Sequence, residues 1–380
     1  MPSTPLPLSP VDALFAVAGR AEAQFCVVAR MEGPRPSRED LVALVDERWG
    51  DAGRLRLVLR GRRWHDSGEG SLEQHVHLGS EDARPDAVAA LLDAPLAEER
   101  PRWRLVVLGG AGDWSLVLVV HHTLLDGLSA RALLIRLLSR DLGDVPTTTT
   151  IATTGVVAAL RYGLGAVARR PVAHRPVRRR HLALARVPLS ALRRPSATVN
   201  DVFLAAVAGA LGDGGSRWAR VLVPVNVRAC AELGNRVLPL EIRLPVETGD
   251  PARRLAEVAR LTAPDVRARA VAGAERAMRW TLRAGRLALR LAEYMGMTRN
   301  AMTCSSMRPL PPGLRLGAAR VVEAYFTTVH RRGLAVALTG ASEDMTVSVV
   351  ADVALAPLAE RLASGIAAEL TGAQNRAASG

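Results

Sequence analysis

The sequence predicts an α/β protein built in two halves. Apolar runs typical of strands, such as Trp114–Val120, alternate along the chain with segments of helical spacing, such as Ser37–Trp49. The 380 residues are 49% hydrophobic and 23% charged, as in ordinary folded proteins, and the length fits two domains. Between the halves the composition becomes rich in Thr, Pro and Arg. We therefore expect a first half at 1–145, a connection at 146–181 and a second half at 182–380.

The elements of the first half follow from local spacing. Ser37 can cap the helix that it opens, and Pro85 suits the first turn of another helix. The run Trp114–Val120 is apolar except for Ser115, which is typical of a central strand buried on both faces. The predicted elements are strands at Phe25–Ala29, Leu55–Leu59, Leu105–Leu108 and Trp114–Val120, a hairpin region at Trp64–Leu78, and helices at Ser37–Trp49, Pro85–Leu92 and Leu128–Leu138.

The second half repeats the alternation of helices and strands. A further helix at Gly155–Val167 is expected within the connection. The predicted elements of the second half are a helix at Asp201–Leu211, a strand at Val221–Val227, a long helix at Pro264–Tyr294, a strand region from Leu314 to Val350 and a closing helix at Pro357–Leu370.

Several classes of protein are excluded by composition. Three cysteines without CxxC spacing (Cys26, Cys230 and Cys304) argue against a disulfide scaffold and a thiolate zinc site, and we expect them to pack in the core. His75 and His77 are expected to share one face of a strand and to be structural. No apolar run is long enough for a transmembrane helix, and the N-terminus lacks the pattern of a signal peptide. The expected setting is the reducing cytoplasm.

The formal charge of +13 comes entirely from arginine, because the sequence contains no lysine. Such a charge is compatible with nucleic acid, an anionic membrane, or an acidic partner or substrate. The basic stretch Arg169–Arg186 contains no aromatic residue for base stacking, so nucleic-acid binding is not expected. The basic helix Arg267–Arg290 is expected to present a solvated face, with docking of anionic lipid or an acidic partner as the alternative.

The sharpest motif is His121-His122-Thr123-Leu124-Leu125-Asp126-Gly127, directly after the predicted central strand. Its structural interpretation is that Asp126 caps the following helix and Gly127 allows the tight turn into it. Neighbouring side chains at a strand end point to opposite sides, so His121 is expected to face the interior and His122 a cleft. The same geometry argues against a metal site that uses both histidines. A neutral imidazole at this position is suited to general-base catalysis.

The motif resembles the HHxxxDG motif of the thioester-dependent acyltransferases, which include chloramphenicol acetyltransferase, condensation domains of peptide synthetases, and bacterial wax ester synthase/diacylglycerol acyltransferases. Other segments resemble the last group, in order along nearly the whole chain. These segments are Ser9–Phe15, Leu92–Leu96, Arg100–Trp103, Thr198–Ala205, Val223–Arg228, Leu233–Arg236 and the strands after Gly333.

The resemblance implies two chloramphenicol-acetyltransferase-like α/β halves that face each other across a central tunnel. It implies that His122 is the general base and that no acyl-enzyme forms. Asp126 matches a structural Asp that pairs with an Arg of the second half, here Arg228, whose alternative interpretation is a surface strand end. Asn200 and Asp201 match an Asn-Asp motif, with a plain helix N-cap as the alternative. Asn226 is expected to point into the tunnel.

The implied reaction is transfer of an acyl group from a thioester to a hydroxyl or amine acceptor, giving an ester or an amide. The donor is acyl-CoA or an acidic acyl carrier protein; coenzyme A or phosphopantetheine enters only as part of this co-substrate, and no other cofactor and no metal are expected. Departures from the family pattern, such as Arg102 in place of a Leu, favour a small-molecule acceptor in specialised metabolism. The alternatives are lipid-type wax ester or triacylglycerol synthesis and a non-catalytic docking protein. Peripheral contact with an anionic membrane is a further expectation.

Overall fold

Within the residues that the structure describes, the strands form two six-stranded sheets and one three-stranded sheet. The structure, a computed structural model, describes residues 5–17, 23–68, 70–80, 82–139, 177–212, 219–229, 231–328, 330 and 333–378. The strands are β1 Leu6–Pro7, β2 Gln24–Gly33, β3 Leu57–Arg60, β4 Arg63–Asp66, β5 Val76–Leu78, β6 Trp103–Gly109, β7 Gly112–His121, β8 Arg180–Pro188, β9 Arg220–Asn226, β10 Val237–Arg243, β11 Met302–Ser306, β12 Arg315–Leu316, β13 Ala319–Phe326, β14 Leu334–Ala341 and β15 Asp344–Asp352.

Most helices begin at a recognisable capping residue. Ser9, Ser37, Asp126, Thr198 and Asp250 each accept a hydrogen bond from a backbone N–H of the first helical turn. The helices of the described residues are α1 Pro10–Ala16, α2 Arg38–Trp49, α3 Pro85–Asp93, α4 Gly127–Leu138, α5 Val199–Leu211, α6 Pro251–Leu261, α7 Pro264–Ala284, α8 Arg286–Arg299 and α9 Ala356–Ala378. The predicted helix at Gly155–Val167 lies outside the described residues.

The first six-stranded sheet has the order β12-β13-β2-β7-β6-β5. Its middle strands β2 and β7 are antiparallel, with Gln24 opposite His121. The residues from Trp114 to His121 are all buried, which confirms the prediction of a central strand covered on both faces. Helices α2 and α4 pack on one face of this sheet, and α3 lies on the other.

The second six-stranded sheet has the order β10-β9-β11-β14-β15-β8. Helices α5 and α9 cover it. The core between these helices and the sheet includes Val207 of α5, Ile366 of α9, Val336 of β14 and Val347 of β15. The structure is therefore the α/β fold of two sheets with helices that the alternating pattern predicts. No helix in the described part of the chain is both long and apolar enough to span a bilayer.

One strand from the second half of the sequence belongs to the first sheet. Strand β13 comes late in the sequence, yet it pairs with β2 of the first sheet, with Phe326 opposite Val27. A shared core that includes Val28 and Val119 from the first sheet and Val350 from the second fills the space between them. The predicted domain boundaries stay a prediction, since most of the connection at 146–181 lies outside the described residues.

Three local predictions are corrected by the structure. The region Trp64–Leu78 is not a hairpin, because β4 pairs with β1 and β3 whereas β5 pairs with β6. The first part of the strand predicted at Leu55–Leu59 is a 3₁₀ turn, and only its end belongs to β3. The helix predicted over Pro264–Tyr294 is divided into α7 and α8 at Gly285, whose φ of 98° lies in the left-handed region that glycine tolerates.

Candidate active site

The two motif histidines point to opposite sides of the end of β7, as alternation requires. His121 is buried, with 1% of its surface exposed, and its Nδ1 lies 2.8 Å from the Thr123 hydroxyl. His122 instead lines a cavity. Its backbone is held from two directions, because its N–H donates to the carbonyl of Ala23 and its carbonyl accepts from the side chain of Asn235. The geometry expected from the sequence, one histidine inward and one toward a cleft, is present.

The imidazole of His122 lies between two phenylalanines. The ring of Phe15 is stacked on it at 4.0 Å between centroids and 9° between planes, and the ring of Phe25 is tilted against it at 5.1 Å. Nδ1 is sealed from solvent and has no hydrogen-bond partner among the described residues, which leaves Nε2 as the nitrogen that faces the cavity. Burial lowers the pKa of His122 to about 4, against a smaller opposing effect of the nearby Asp126 carboxylate. The ring is therefore neutral at physiological pH and can accept a proton.

Asp126 and Arg228 form an ion pair that is completely buried. The carboxylate Oδ2 lies 2.8 Å from an Nη2 of the guanidinium, and neither side chain has any exposed surface. The same oxygen accepts the backbone N–H of Arg236, while Oδ1 caps α4 by accepting the N–H of Ser129. The ion pair expected between the halves is present, and the alternative of Arg228 as a surface strand end is wrong.

The guanidinium of Arg228 also forms hydrogen bonds with the segment from 226 to 234 of the second half. It donates to the Asn226 side chain, the carbonyl of Glu232 and the carbonyl of Gly234. The Ser129 hydroxyl, on α4, also donates to the Gly234 carbonyl. The motif loop of the first half and the segment from 226 to 236 of the second half are thus one hydrogen-bonded unit.

The cavity lies between the two halves and has a volume of about 650 Å³. His122 and Asn226 stand on its wall, from the first and the second half respectively. Apolar side chains cover much of the wall, among them Phe25, Leu128, Val225, Leu240, Met307 and Phe326. Polar side chains interrupt it, among them Asn200, Thr262, Ser305, Ser306, Thr327 and Thr328. A cavity with apolar and polar patches and a histidine on its wall can hold an acyl chain and orient a nucleophile.

Asn200 and Asp201 have separate positions. Asn200 lines the cavity and accepts a hydrogen bond from the hydroxyl of Ser306. Asp201 is buried and completes a capping box with Thr198, so α5 begins at Val199 rather than after Asp201 as the N-cap interpretation required. Asp201 also accepts from the Thr262 hydroxyl at 2.5 Å, and Thr262 is the residue that ends α6 beside the cavity.

Gly127 is explained by space rather than by the turn that the sequence interpretation assigned to it. Its φ is not in the left-handed region, and it is the first residue of α4. A Cβ at this position would lie 3.3 Å from the sulfur of Met307, which also lines the cavity. Glycine therefore lets the Met307 side chain approach the start of α4 closely.

Sequence reasoning missed the residues that place Phe15. Its helix α1 is anchored by Asp12, which is buried and accepts hydrogen bonds from Arg54 and from the indole N–H of Trp64. Arg54 also donates to the carbonyls of Thr123 and Leu124 in the motif loop, so one guanidinium connects α1 to that loop. A capping box, Ser9 with Asp12, was the available signal for this helix.

The remaining candidates are structural. His75 is buried in a 3₁₀ turn and stacks on Trp103, whereas His77 is exposed on β5; the expectation that they share one face is wrong, because the chain becomes extended only at Val76. Cys26 and Cys304 are completely buried, and burial raises the pKa of Cys26 to about 12, which leaves no reactive thiolate. Cys230 lies outside the described residues.

Comparison with known structures identifies the fold. A wax ester synthase/diacylglycerol acyltransferase from Marinobacter aquaeolei VT8 has a TM-score of 0.63 at 20% identity, over 96% of this chain and 98% of that one. The first condensation domain of the calcium-dependent antibiotic synthetase has a TM-score of 0.65 at 17% identity, over 97% of both chains. The chain therefore has the two-sheet α/β fold of these proteins.

Comparison of sequences gives the family. Residues 8–156 match the wax ester synthase/diacylglycerol acyltransferase catalytic domain, and residues 233–373 match the C-terminal domain of the same family. A probable diacylglycerol O-acyltransferase of Mycobacterium tuberculosis strain H37Rv is 28% identical over 89% of this chain and 88% of that protein. The chain belongs to the wax ester synthase/diacylglycerol acyltransferase family and is an acyltransferase.

The buried pair gives a first prediction. Asp126→Ala or Arg228→Ala leaves one buried charge without its partner, so each should lower the free energy of unfolding by about 3–5 kcal/mol. The double variant should lose less than the sum of the two, which denaturant unfolding of all four proteins would measure. The exposed pair Arg30–Asp113 is the matched control, and its cycle should give at most about 1 kcal/mol. Additive losses at Asp126 and Arg228 would contradict the coupling.

The phenylalanine stack gives a second prediction, on pH dependence. Phe15→Ala admits water to His122 and should raise its pKa from about 4 toward the ordinary 6.5. As the pH falls, His122 of the variant therefore becomes protonated at a higher pH than His122 of the unmodified protein. If His122 is the general base, the variant loses activity at that higher pH. The kcat/KM of the unmodified protein should therefore be flat from about pH 5 to 8, whereas that of the variant should fall below about pH 6.5. Phe15→Leu keeps the site apolar and is the control; identical profiles for all three proteins would contradict this account.

Proposed function

We propose that the chain transfers an acyl group from acyl-CoA to the hydroxyl group of a lipid-type alcohol, and so forms an ester. The observation that carries the proposal is the neutral His122, whose Nε2 faces a cavity between the halves that is partly lined by apolar side chains. The relatives that align over most of this chain are named diacylglycerol O-acyltransferases, which supports an oxygen acceptor over an amine.

The chemistry follows from the position of this base. Nε2 of His122 takes the proton of the acceptor hydroxyl as its oxygen attacks the thioester carbonyl carbon. The tetrahedral intermediate then expels the thiolate of coenzyme A, and the imidazolium returns the proton to that sulfur. The products are an ester and free coenzyme A, and no acyl-enzyme is needed. The buried pair Asp126–Arg228 holds the loop of the base and takes no part in proton transfer.

The acceptor class rests on two observations. Apolar side chains from both halves wall the cavity beside His122, and they suit an aliphatic substrate better than a polar one. The names of the relatives point in the same direction. The small-molecule acceptor of specialised metabolism, which the departures from the family pattern favoured, remains a prediction that the same experiment tests.

The experiment offers the purified protein one acyl-CoA with hexadecanol, a diacylglycerol, a short-chain alcohol or a primary amine. Mass spectrometry identifies the product, and a thiol reagent measures the coenzyme A released. The proposal expects ester and thiol in equal amounts, with the lipid-type alcohols preferred. Thiol release without ester would indicate a hydrolase, and product from the amine alone would overturn the oxygen acceptor.

The base itself gives a third prediction. His122→Ala should lower kcat by about 10²–10⁴-fold, the usual contribution of a general base. Thermal unfolding monitors the fold of the variant, and a melting temperature near that of the unmodified protein attributes the loss to chemistry. His121→Ala is the comparison: since His121 is buried and bonded to Thr123, its loss should act mainly on stability. Full activity in His122→Ala would contradict general-base catalysis by His122.

The donor gives a fourth prediction, which concerns Arg267. This residue lies on the cavity wall in the first turns of α7, and it has no carboxylate partner among the described residues, so it can meet a phosphate of coenzyme A. Arg267→Gln should raise the KM for acyl-CoA about tenfold, as expected for a lost charge-assisted hydrogen bond, and leave that for acyl-pantetheine, which has no phosphate, unchanged.

Arg269→Gln on the same helix is the control, because Arg269 is exposed and pairs with Asp265. Equal KM values for acyl-CoA in Arg267→Gln and in the unmodified protein would show that Arg267 does not hold the donor. The same assay with an acyl carrier protein as donor tests the other candidate: higher kcat/KM with the carrier protein than with acyl-CoA would replace coenzyme A in the proposal.

A further inference from the structure

Helices α7 and α8 expose large apolar side chains to solvent. Trp280 on α7 is 42% exposed, and Leu287 and Leu291 on α8 are 81% and 55% exposed. Leu287, Leu291 and Tyr294 follow each other at helical spacing, so they form one stripe along α8. Of the α8 side chains that the structure describes, only Leu289 is buried. Leu287 and Leu291 therefore belong to none of the cores that the described residues form.

The same helices carry a concentrated positive charge. The sequence from Arg276 to Ala292 contains five arginines and no carboxylate. Arg279 pairs with Glu275, whereas Arg276, Arg283, Arg286 and Arg290 have no carboxylate partner within the described part of the chain. Arg283, Arg286 and Arg290 are exposed at the end of α7 and along α8. A partner for this surface must supply negative charge and also cover apolar groups.

The surface is continuous with the wall of the active site. Helix α7 begins at Pro264, and its first turns, with Arg267 and Ala268, line the cavity. Further along α7, Val271 and Met278 pack in a small core with Phe15, the residue stacked on His122. The exposed end of α7 and the residues that line the cavity therefore belong to the same helix.

We propose that the surface formed by Trp280, Arg283, Arg286, Leu287, Arg290 and Leu291 docks the protein on an anionic lipid surface. Arginine attracts anionic headgroups, while Trp and Leu enter the boundary between headgroups and acyl chains. A bilayer offers both the negative charge and the apolar layer that this surface requires, and an acidic protein partner is the alternative that the experiment tests. The inference deepens the proposed function, on which it rests for the class of acceptor: a lipid alcohol would reach the cavity from the surface that holds α7.

The experiment measures co-flotation of the full chain with vesicles. Vesicles of equal parts phosphatidylcholine and phosphatidylglycerol should bind the protein, and pure phosphatidylcholine should bind it far more weakly. Changing Arg283, Arg286 and Arg290 together to Ser should lower the affinity for the mixed vesicles about 100-fold, because each basic side chain contributes roughly fivefold. Leu287→Ser with Leu291→Ser should weaken binding to the mixed vesicles while the charge is unchanged.

The matched control variants carry the same kinds of substitution at exposed residues outside helices α7 and α8. Arg193, Arg315 and Arg361 are exposed on other elements, and changing them together to Ser should leave vesicle binding close to that of the unmodified protein. Leu6→Ser is the control for the leucines, since Leu6 is also exposed. Circular dichroism melting checks that every variant is folded.

The outcomes separate this inference from the proposed function. The helix variants should keep acyl transfer to a short-chain alcohol in solution and lose it selectively for an acceptor presented in mixed vesicles. Equal binding to both kinds of vesicle, or loss in the control variants as large as in the helix variants, would overturn the docking surface. Binding of an acidic acyl carrier protein through these arginines, without vesicle binding, would overturn it as well. Failure of all acyl transfer would instead reject the proposed function.

Discussion

The rest of the site depends on the buried ion pair between Asp126 and Arg228. Two charges removed completely from water are stabilising only when their remaining donors and acceptors are also satisfied. Here the carboxylate accepts two backbone N–H groups besides the guanidinium, and the guanidinium donates to Asn226, Glu232 and Gly234. Because these partners come from both halves, the charges are compensated only when the halves are assembled.

This assembly gives His122 its position. The histidine follows the central strand of the first sheet, yet its carbonyl is held by Asn235, which belongs to the same segment that carries Arg228. The wall facing it consists of residues of the second half, such as Val225 and Asn226. Neither half therefore forms the cavity alone, which is a physical reason for an acyltransferase of this class to need both halves in one folded unit.

The surroundings of the imidazole favour its neutral form over its charged form. Two phenylalanine rings and a sealed Nδ1 provide no partner for an imidazolium, while Nε2 stays accessible from the cavity. A low pKa weakens the base but keeps nearly every molecule in the form that can accept a proton. Arg54 supports this arrangement from a distance, because it bonds both to Asp12 of the helix that carries Phe15 and to the motif loop.

The sequence by itself determined the α/β class, the central strand, the helix caps such as Ser37, and the opposite orientation of His121 and His122, because period and capping are local properties. The pairing of Asp126 with Arg228 came from the family resemblance. Only the tertiary structure decided that β13 joins the first sheet, that Gly285 divides a long helix, and that Phe15 stacks on His122. These features depend on contacts between residues far apart in the chain, or on a backbone angle that glycine permits but does not require, and no local pattern encodes either.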